Sequence, residues 1–478
     1  MKAPYLQFMF PGWGGREEKK VTEKLASLGF VQGDQETAER LYGDTFDWQL
    51  YRQRTTLFLE SAGPDRCLLR LITPDSVSSA RASSSGHLPV YAHHLPGGPL
   101  QNALGNKIGA SYIAPVTAVK YRTQFFFCPA TGTHLRLSQP ALRVAGLDQE
   151  QALPMQLQFA AEAESASLRA LRRWLEQEGI SATHCCEVDS AIRVLGQEPV
   201  AFPLAVEAQR AGWQALRVAH RSLLSSFLRH LEGVRDDLDP VFLHALRVIT
   251  RRVRVVLTQI EPAHKTPPKS ELKSDLRWLG EVTGKVRDLD VSLVWLESRG
   301  LQSGRPPAVE RRVAQLERER RELHRRLCDS LSSAWLSDFL LSWRGQIRAM
   351  DWDGSLRDSV DRAVNSNLKK AREDALRVRA AFSPRMLHKL RIRFKKLRYL
   401  LDTFDSPMRE GPPTDCLRVL KSLQDELGAL NDLFAFQTTI LKPGDDSGAT
   451  TRLAAELEIE KKHRRRQVLV AIDQWLTR

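Results

Sequence analysis

The chain has 478 residues, of which 42% are hydrophobic and 27% are charged, so it is long enough for two or three domains with buried cores. It has no run of about 18 apolar residues, so we expect no transmembrane helix and no membrane partner. The first residues lack the long apolar stretch of a secretory signal. The six cysteines form no CxxC pair, which argues against a structural zinc site or a redox dithiol and favours reduced thiols in a cytoplasmic protein.

The charge is distributed unevenly along the chain. Residues 1–204 contain 20 Lys and Arg and 20 Asp and Glu, so this part is neutral. The net charge of +14 therefore belongs entirely to residues 205–478. A neutral region joined to a basic one indicates two separate roles, and the basic region predicts an anionic partner.

Residues 1–200 have the pattern of an antiparallel α+β domain. Short apolar or alternating runs predict six strands. These are Tyr5–Phe10, Phe46–Tyr51, Cys67–Ile72, Val119–Phe127, His134–Leu137 and Met155–Phe159. Two amphipathic stretches predict helices, Glu17–Leu28 and Ser167–Glu178. Pro74–Ser111 is rich in Ser, Gly and Pro and predicts a long loop or an insertion.

Two stretches of this domain resemble the CYTH, or triphosphate tunnel, family. They are the aromatic-then-Asp-Thr stretch from Tyr42 to Asp47 and the strand around Arg70. The resemblance implies an antiparallel barrel that binds triphosphates and metal through acidic and basic side chains. The family's opening E-x-E-x-K strand would be Tyr5–Phe10, which has no acid and no lysine, and Met155–Phe159 has glutamines where another E-x-E is expected. Metal-assisted phosphoryl chemistry needs carboxylates, so we expect no metal, no cofactor and no catalysis.

Residues 205–478 contain an internal duplication with a constant offset of 144 residues. At this offset His244 aligns with His388, and the alignment continues without a gap to Asp288 and Asp432. The period is far longer than a solenoid unit, so the pattern predicts a doubled domain, with repeat one at 205–350 and repeat two at 351–478.

Each repeat predicts four helices and therefore a four-helix bundle. The predicted helices are 207–232, 239–260, 271–299 and 306–334 in the first repeat, and 354–380, 383–405, 414–440 and 449–477 in the second. The segment Trp335–Asp353 has no counterpart, and we expect it to bridge the repeats. The fold prediction is thus an α+β domain resembling a divergent CYTH barrel, followed by an all-α duplicated pair of four-helix bundles.

The repeated motif H-x-x-R-x-x-x-[RK]-[RK]-x-R places cations on one helical face. At about 100° per residue, the histidine and offsets +3, +7 and +10 fall within roughly 80° of one another. The first ladder is His244, Arg247, Arg251 and Arg254, and the second is His388, Arg391, Lys395 and Arg398. Neither ladder contains an acidic residue, so the cations within each ladder would repel one another unless an anionic partner compensates their charge.

Several interpretations of the ladders compete. They could be solvated basic faces, or their arginines could pair with acids such as Asp288 and Asp432. A metal site is disfavoured because cations surround each histidine. A general base is disfavoured because no nucleophile recurs at a fitting offset in both repeats. An anion site remains, since Arg offers planar forks to phosphate oxygens and Lys offers point charges. Histidine protonation is then expected to strengthen binding below about pH 6.5.

The candidate anion-binding residues come from both repeats and include cations of neighbouring helices. They are His244, Arg247, Arg251, Arg252, Arg254, Lys273, Arg277, Arg287 and Arg321 in the first repeat, and His388, Arg391, Lys395, Lys396, Arg398, Lys421 and Arg465 in the second.

The doubled motif, with the Leu-Gly tails that lead to Asp288 and Asp432, resembles the CHAD domain, the conserved histidine α-helical domain. The resemblance implies two bundles related by a pseudo-twofold axis, with the histidines and basic residues lining a shared surface or channel. It also implies polyphosphate binding and localisation to polyphosphate granules. One departure is Asn431, which stands where the first repeat has Arg287.

The sequence therefore predicts a non-enzymatic cytoplasmic protein that binds inorganic polyphosphate, with other polyanions as further partners. Three alternatives remain open. The basic region could bind nucleic acid, although few aromatic residues are positioned for base stacking. The N-terminal domain could be a divergent triphosphate hydrolase. The basic face could instead bind an acidic protein.

Overall fold

The computed structural model divides the chain into two compact units, Met1–Pro199 and Val200–Arg478. It describes every residue except those in the following ranges. They are 1–4, 11–14, 47, 62–66, 74–75, 82–86, 89, 144–149, 161–164, 184–186, 195–203, 206–211, 261–269, 301–306, 352–353, 406–413, 441–447 and 478.

The N-terminal unit is built on an antiparallel sheet, as predicted. Its strands are β1 (Tyr5–Phe10), β2 (Val31–Thr45), β3 (Thr56–Ser61), β4 (Cys67–Ile72), β5 (Val77–Arg81), β6 (Ile113–Cys128), β7 (Thr133–Arg143), β8 (Glu150–Ala152), β9 (Met155–Ala160) and β10 (Ala182–Thr183). Within the described residues the order is β10-β1-β9-β7-β6-β2-β3-β4-β5, and β8 pairs with β7.

Five helices accompany this sheet in the described part of the unit. They are α1 (Gly15–Ser27), α2 (Gln49–Arg52), α3 (Pro99–Ile108), α4 (Ala166–Gln177) and α5 (Glu187–Val194). The amphipathic helices α1 and α4 confirm the two predicted helices. Their apolar stripes, with Leu25 and Leu171 fully buried, pack on Phe8, Leu157 and Phe159 of the sheet.

The prediction of a strand over Phe46–Tyr51 is wrong, because β2 ends at Thr45 and α2 follows. The Asp44 carboxylate accepts hydrogen bonds from the backbone N–H groups of Leu50 (3.0 Å) and Tyr51 (2.8 Å). A side chain that binds nearby backbone donors in this way competes with ladder pairing and turns the chain.

The prediction of a long loop over Pro74–Ser111 is also wrong. This segment contains β5, a short 3-10 helix (Ala92–His94) and α3. Pro99 occupies the first turn of α3, where its missing N–H costs nothing. Leu100, Leu104 and Ile108 recur along one face of α3 and are buried, so tertiary packing overrides the local Ser, Gly and Pro signal.

The second unit is helical, as predicted. Its helices are α6 (Gly212–Arg235), α7 (Pro240–Val255), α8 (Ser270–Gly300), α9 (Pro307–Leu331), α10 (Ala334–Ala349), α11 (Leu356–Ala380), α12 (Pro384–Thr403), α13 (Thr414–Ile440) and α14 (Gly448–Leu476). A π-helical turn, Val256–Ile260, extends α7. Two short strands, β11 (Leu204–Ala205) and β12 (Phe404–Asp405), pair in parallel.

These helices form two bundles, α6–α9 and α11–α14, in which consecutive helices contact one another. Helix α10 lies on the first bundle, against α6, α8 and α9. Between the bundles each helix contacts its own counterpart, because α6 meets α11, α7 meets α12, α8 meets α13 and α9 meets α14. This is the pattern of a twofold, isologous interface formed within one chain.

An apolar cluster joins the bundles along the second half of each repeat. It contains Leu289 and Leu296 of α8, Leu316 of α9, and Leu433 and Leu457 of the second bundle, all buried. Burying such side chains contributes on the order of 1.5–3 kcal/mol each to the free energy of folding. The contact between the bundles is therefore part of the core of this unit.

Gly233 marks a close approach between α6 and α7. A Cβ atom at this position would overlap the ring of Phe242. We expect Gly233→Ala to lower the free energy of unfolding by about 1–3 kcal/mol, because overpacking forces the helices apart. Urea unfolding measures the change.

Gly428→Ala is the matched control, because a Cβ atom there would meet nothing within 4 Å. Alanine is also the better helix former, so we expect this variant to be as stable as the parent or more so. Equal unfolding midpoints for both variants would contradict the close packing of α6 on α7.

Candidate anion-binding site

Both ladder helices begin with the signals that the sequence displays. Asp239 caps α7 by accepting a hydrogen bond from the backbone N–H of Val241 (2.7 Å), and Pro240 follows it. Ser383 caps α12 in the same way through the N–H of Met386 (3.2 Å). The cap and the proline fix the residue at which each helix begins, and therefore the side of the helix on which its ladder lies.

The two ladders lie against each other because α7 contacts α12. Arg251 of α7 donates a hydrogen bond to the Tyr399 hydroxyl of α12 (3.3 Å). The positive charge of Arg398 acts on His244, and that of Arg251 acts on Lys395. Cations of both bundles thus converge at one place, which we call the central cluster. It consists of His244, Arg247, Arg251, Arg287, Arg391, Lys395 and Arg398.

Arg247 forms the floor of the central cluster. Its side chain is buried and donates from Nη1 to the carbonyl of Gly280 and the hydroxyl of Thr283, both at 3.1 Å. Gly284 makes room for it, since a Cβ atom there would lie 3.0 Å from Nη1. Burial, together with the charge of Arg251, lowers the pKa of Arg247 to about 10. The guanidinium is thus held by neutral acceptors.

Lys395 is crowded by other cations. Burial lowers its pKa from 10.5 to about 7, and the charges of Arg251 and Arg391 add to the effect. It makes no hydrogen bond or ion pair within the part of the chain that the structure describes. A lysine in such a position is charged only part of the time at neutral pH and gains a proton when an anion approaches.

Three aspartates compensate the central cluster only in part. Asp432 lies 3.9 Å from Arg391. Asp288 makes no ion pair within 4.0 Å in the described ranges, and its pKa is raised, first by burial and also by the charge of Asp432. A third acid, Asp402, lies 3.2 Å from Arg398. Because these three acids face six Arg and Lys side chains, the central cluster keeps an excess of positive charge.

His244 does not behave as the sequence predicts. His244 is exposed on α7, yet the surrounding protein lowers its pKa to about 4, first by partial desolvation and then through the charges of Arg287 and Arg251. For His244 in the free protein, the gain of charge is therefore expected at a lower pH than 6.5. At neutral pH the imidazole is uncharged and can donate one N–H to an anion.

Three further predicted residues continue the positive surface beyond the central cluster. The charge of Arg277 acts on Arg254, whose pKa is lowered by burial and by its cationic neighbours. Arg254 in turn acts on Lys396, whose pKa burial also lowers. Arg252 points to a different partner, the carboxylate of Asp402 at 3.8 Å, which also lies 3.2 Å from Arg398.

The structure does not bring the remaining predicted residues into contact with the central cluster. Arg321 pairs with Glu317 on its own helix (3.7 Å), and Arg465 lies 4.0 Å over the ring of Phe382. Lys273 is partly buried on α8, and His388 is exposed on α12. The side chain of Lys421 lies outside the described residues.

Two members of the site were not predicted from the sequence. The Thr283 hydroxyl accepts a hydrogen bond from Arg247, and the Tyr399 hydroxyl accepts one from Arg251 of the other bundle. Neither residue recurs in both repeats, since the counterparts are Leu427 and Val255. A search that relied on the duplication could not find them, although a polar residue on a buried helical face is a usable signal.

The N-terminal sheet lacks carboxylates at the positions where the tunnel resemblance implied them. Gln158 of β9 donates a hydrogen bond to Gln7 of β1 (2.9 Å), so two amides occupy this place. Glu60 of β3 is shared by Arg40 (2.7 Å) and Arg70 (3.2 Å). An acid held by two guanidinium groups is a poor ligand for a cation.

Lys395 should give the fold a measurable pH dependence. An unfolded lysine titrates near 10.5 and the folded one near 7, so the unfolded state binds more protons between these values and stability rises with pH. We expect Lys395→Met to stabilise the protein below pH 7, with the advantage shrinking between pH 7 and 10.5. Urea unfolding at several pH values measures it, and a constant difference would contradict the crowding of Lys395.

Comparisons with known proteins agree with this helical architecture. Residues 218–441 match the family model described as the CHAD domain. No curated protein matches the chain significantly. No helix in the described residues is long and apolar enough to cross a bilayer.

Several solved structures are similar to parts of the chain. The CHAD domain from the plant Ricinus communis is 22% identical, with 57% of this chain and 94% of that chain covered and a TM-score of 0.47. PptA from Streptomyces chartreusis is 16% identical, with coverages of 56% and 99% and a TM-score of 0.43. A putative adenylate cyclase from Bacillus halodurans is 15% identical, with coverages of 39% and 96% and a TM-score of 0.30. On the family-model match, residues 218–441, which make up most of the helical part of this chain, form a CHAD domain.

Proposed function

We propose that the CHAD domain of this protein binds inorganic polyphosphate along the central cluster and so attaches the chain to polyphosphate granules. One observation carries the proposal: cations of two bundles converge at a place where the nearby carboxylates are too few to neutralise them. Arg247 is buried and Lys395 is partly buried, and within the described residues neither makes an ion pair within 4.0 Å. Only an external anion removes this repulsion.

The shape of the site favours a polymer over a single phosphate ion. A ladder that extends ten residues along an α-helix is about 15 Å long. One phosphate would touch one or two rungs, whereas a chain of phosphates can engage successive rungs of both helices. Each contact also releases condensed counterions from the polymer, which gives binding a steep dependence on salt.

The chemistry of the individual side chains fits this ligand. Arg251 keeps a fork of donors at the surface of the cluster, and its one partner in the described residues is the neutral Tyr399 hydroxyl. Lys395 and His244 are partly or wholly uncharged in the free protein and become better donors as they take up protons from solvent on binding. The site thus adapts its charge to the ligand.

Nucleic acid is a weaker candidate because the site offers no platform for bases. Phe394 is fully buried, and Tyr399 is 8% exposed and occupied by Arg251. Single-stranded nucleic acid binding relies on aromatic rings that are open to stacking. Triphosphate hydrolysis in the N-terminal domain is disfavoured by the paired amides of Gln7 and Gln158.

Removal of two central cations should abolish tight binding. We expect Arg251→Ala with Lys395→Ala to weaken polyphosphate binding by at least tenfold and to reduce the slope of log affinity against log salt by roughly two, about one per lost phosphate contact. Fluorescence or calorimetric titration at three salt concentrations measures both quantities.

Arg311→Ala with Arg344→Ala is the matched control. It removes the same charge from exposed positions of α9 and α10 and should change affinity little. Equal losses for both pairs would show that overall charge, and not the central cluster, binds the ligand. Competition with RNA at fixed salt is the further arm, and displacement of polyphosphate by equal amounts of RNA would favour the nucleic acid alternative.

Binding should also depend on the ionisation of Lys395. A bound phosphate chain raises its pKa above the free value of about 7, so affinity is highest below pH 7 and falls as the pH rises through the bound pKa. Lys395→Arg stays charged, and we expect its affinity to change less between pH 7 and 9. Calorimetry in two buffers should show proton uptake that Lys395→Arg loses, and identical uptake by both proteins would contradict this role.

A further inference from the structure

A second group of cations lies on the opposite side of α12 from its ladder. Lys389, Arg393 and Lys396 follow His388 by one, five and eight residues, which turns them roughly 150° away from the ladder. They face α11, whose Lys370, Asp374 and Arg377 occupy the adjoining face. We call these six residues the outer groove.

A buried carboxylate organises the outer groove. The Asp374 side chain is 7% exposed and lies 3.2 Å from Arg377, 3.4 Å from Lys389 and 3.5 Å from Arg393. One negative charge therefore holds three positive charges, and the side chains of Arg377 and Lys389 remain more than half exposed. The carboxylate preorganises the cations and leaves an excess of positive charge at the surface.

Lys396 and Lys370 extend this excess along the groove. Burial lowers the pKa of Lys396, and the charges of Arg393, Lys370 and Arg254 lower it further. Within the described residues Lys396 makes no ion pair. Arg254 is itself under the influence of Arg251. The positive charge is thus continuous from the central cluster, across α12 at Lys396, into the outer groove.

Among the described residues, the first bundle has no equivalent groove. The counterpart of Asp374 is His230, which is fully buried and whose pKa burial lowers to about 4, so it is neutral. Lys389 and Arg393 correspond to the buried Ala245 and Ile249. The same bundle architecture therefore forms with an apolar face in this place, which argues that folding alone does not require the charged groove.

We propose that the outer groove is a second contact site for the same polyphosphate chain, which leaves the central cluster past Lys396 and continues between α11 and α12. This inference rests on the proposed function and adds a property to it. The protein would distinguish long chains, which reach both places, from short chains, which occupy the central cluster alone. Because the first bundle lacks the groove, the polyphosphate chain would extend beyond the central cluster over the second bundle only.

The test compares chain lengths in the full-length protein. Lys389→Gln with Arg393→Gln should weaken binding of long-chain polyphosphate by about tenfold, as expected for two lost phosphate contacts, and leave tripolyphosphate binding within about twofold of the parent. Lys369→Gln with Arg372→Gln is the control, because these exposed residues lie on the far side of α11 and carry the same charge.

Three results would overturn the inference. They are unchanged long-chain affinity, an equal loss for both chain lengths, and an equal loss in the control pair. If the double variant unfolds in a thermal melt, the exposed Arg377→Gln replaces it, with a smaller loss confined to long chains as the expected result. Failure of the proposed function is distinct, because Arg251→Ala with Lys395→Ala would then bind both chain lengths normally.

Discussion

Apolar packing between the bundles of the CHAD domain holds like charges close together, against their mutual repulsion. The other features of the domain follow from this constraint. The ladders of α7 and α12 bring Arg251, Arg391 and Lys395 together, and burial lowers the pKa of Arg391 and Lys395. The cost is offset elsewhere, in the core that joins the bundles through Leu289, Leu316, Leu433 and Leu457. The domain therefore stores an unfavourable interaction at its surface that an external polyanion can relieve.

The two bundles are related by twofold symmetry in their backbones, but their side chains follow this symmetry less closely. Every helix meets its counterpart, yet the equivalent arginines are held differently. Arg247 rests on Gly280 and Thr283, whereas Arg391 lies beside Asp432. Gly284 is closed by Arg247, while its counterpart Gly428 faces open space. The departure noted at Asn431 belongs to this divergence, and so does the outer groove, which exists in the second bundle only among the described residues.

Polar side chains of the N-terminal sheet bind one another where metal chemistry would require free carboxylates. Gln7 and Gln158 bind each other, and Glu60 is engaged by two arginines. Next to them Tyr42, Trp48, Phe58 and Tyr121 form an apolar cluster with Ala191 and Ile192 of α5. These contacts favour a structural sheet over a site for cation-assisted hydrolysis.

The sequence by itself determined what depends on local periodicity and on charge. Helix bounds at Pro240 and Pro384, the cationic faces of α7 and α12, and the neutral and basic halves all follow from residue order, because a helix turns by a fixed angle per residue. Only the tertiary structure decided which cations meet. The neutral His244, the crowded Lys395, the hydrogen bond from Arg251 to Tyr399 and the short helix after Asp44 depend on groups that residue order does not place together. Burial and electrostatic neighbours are set by three-dimensional packing, and no local pattern encodes them.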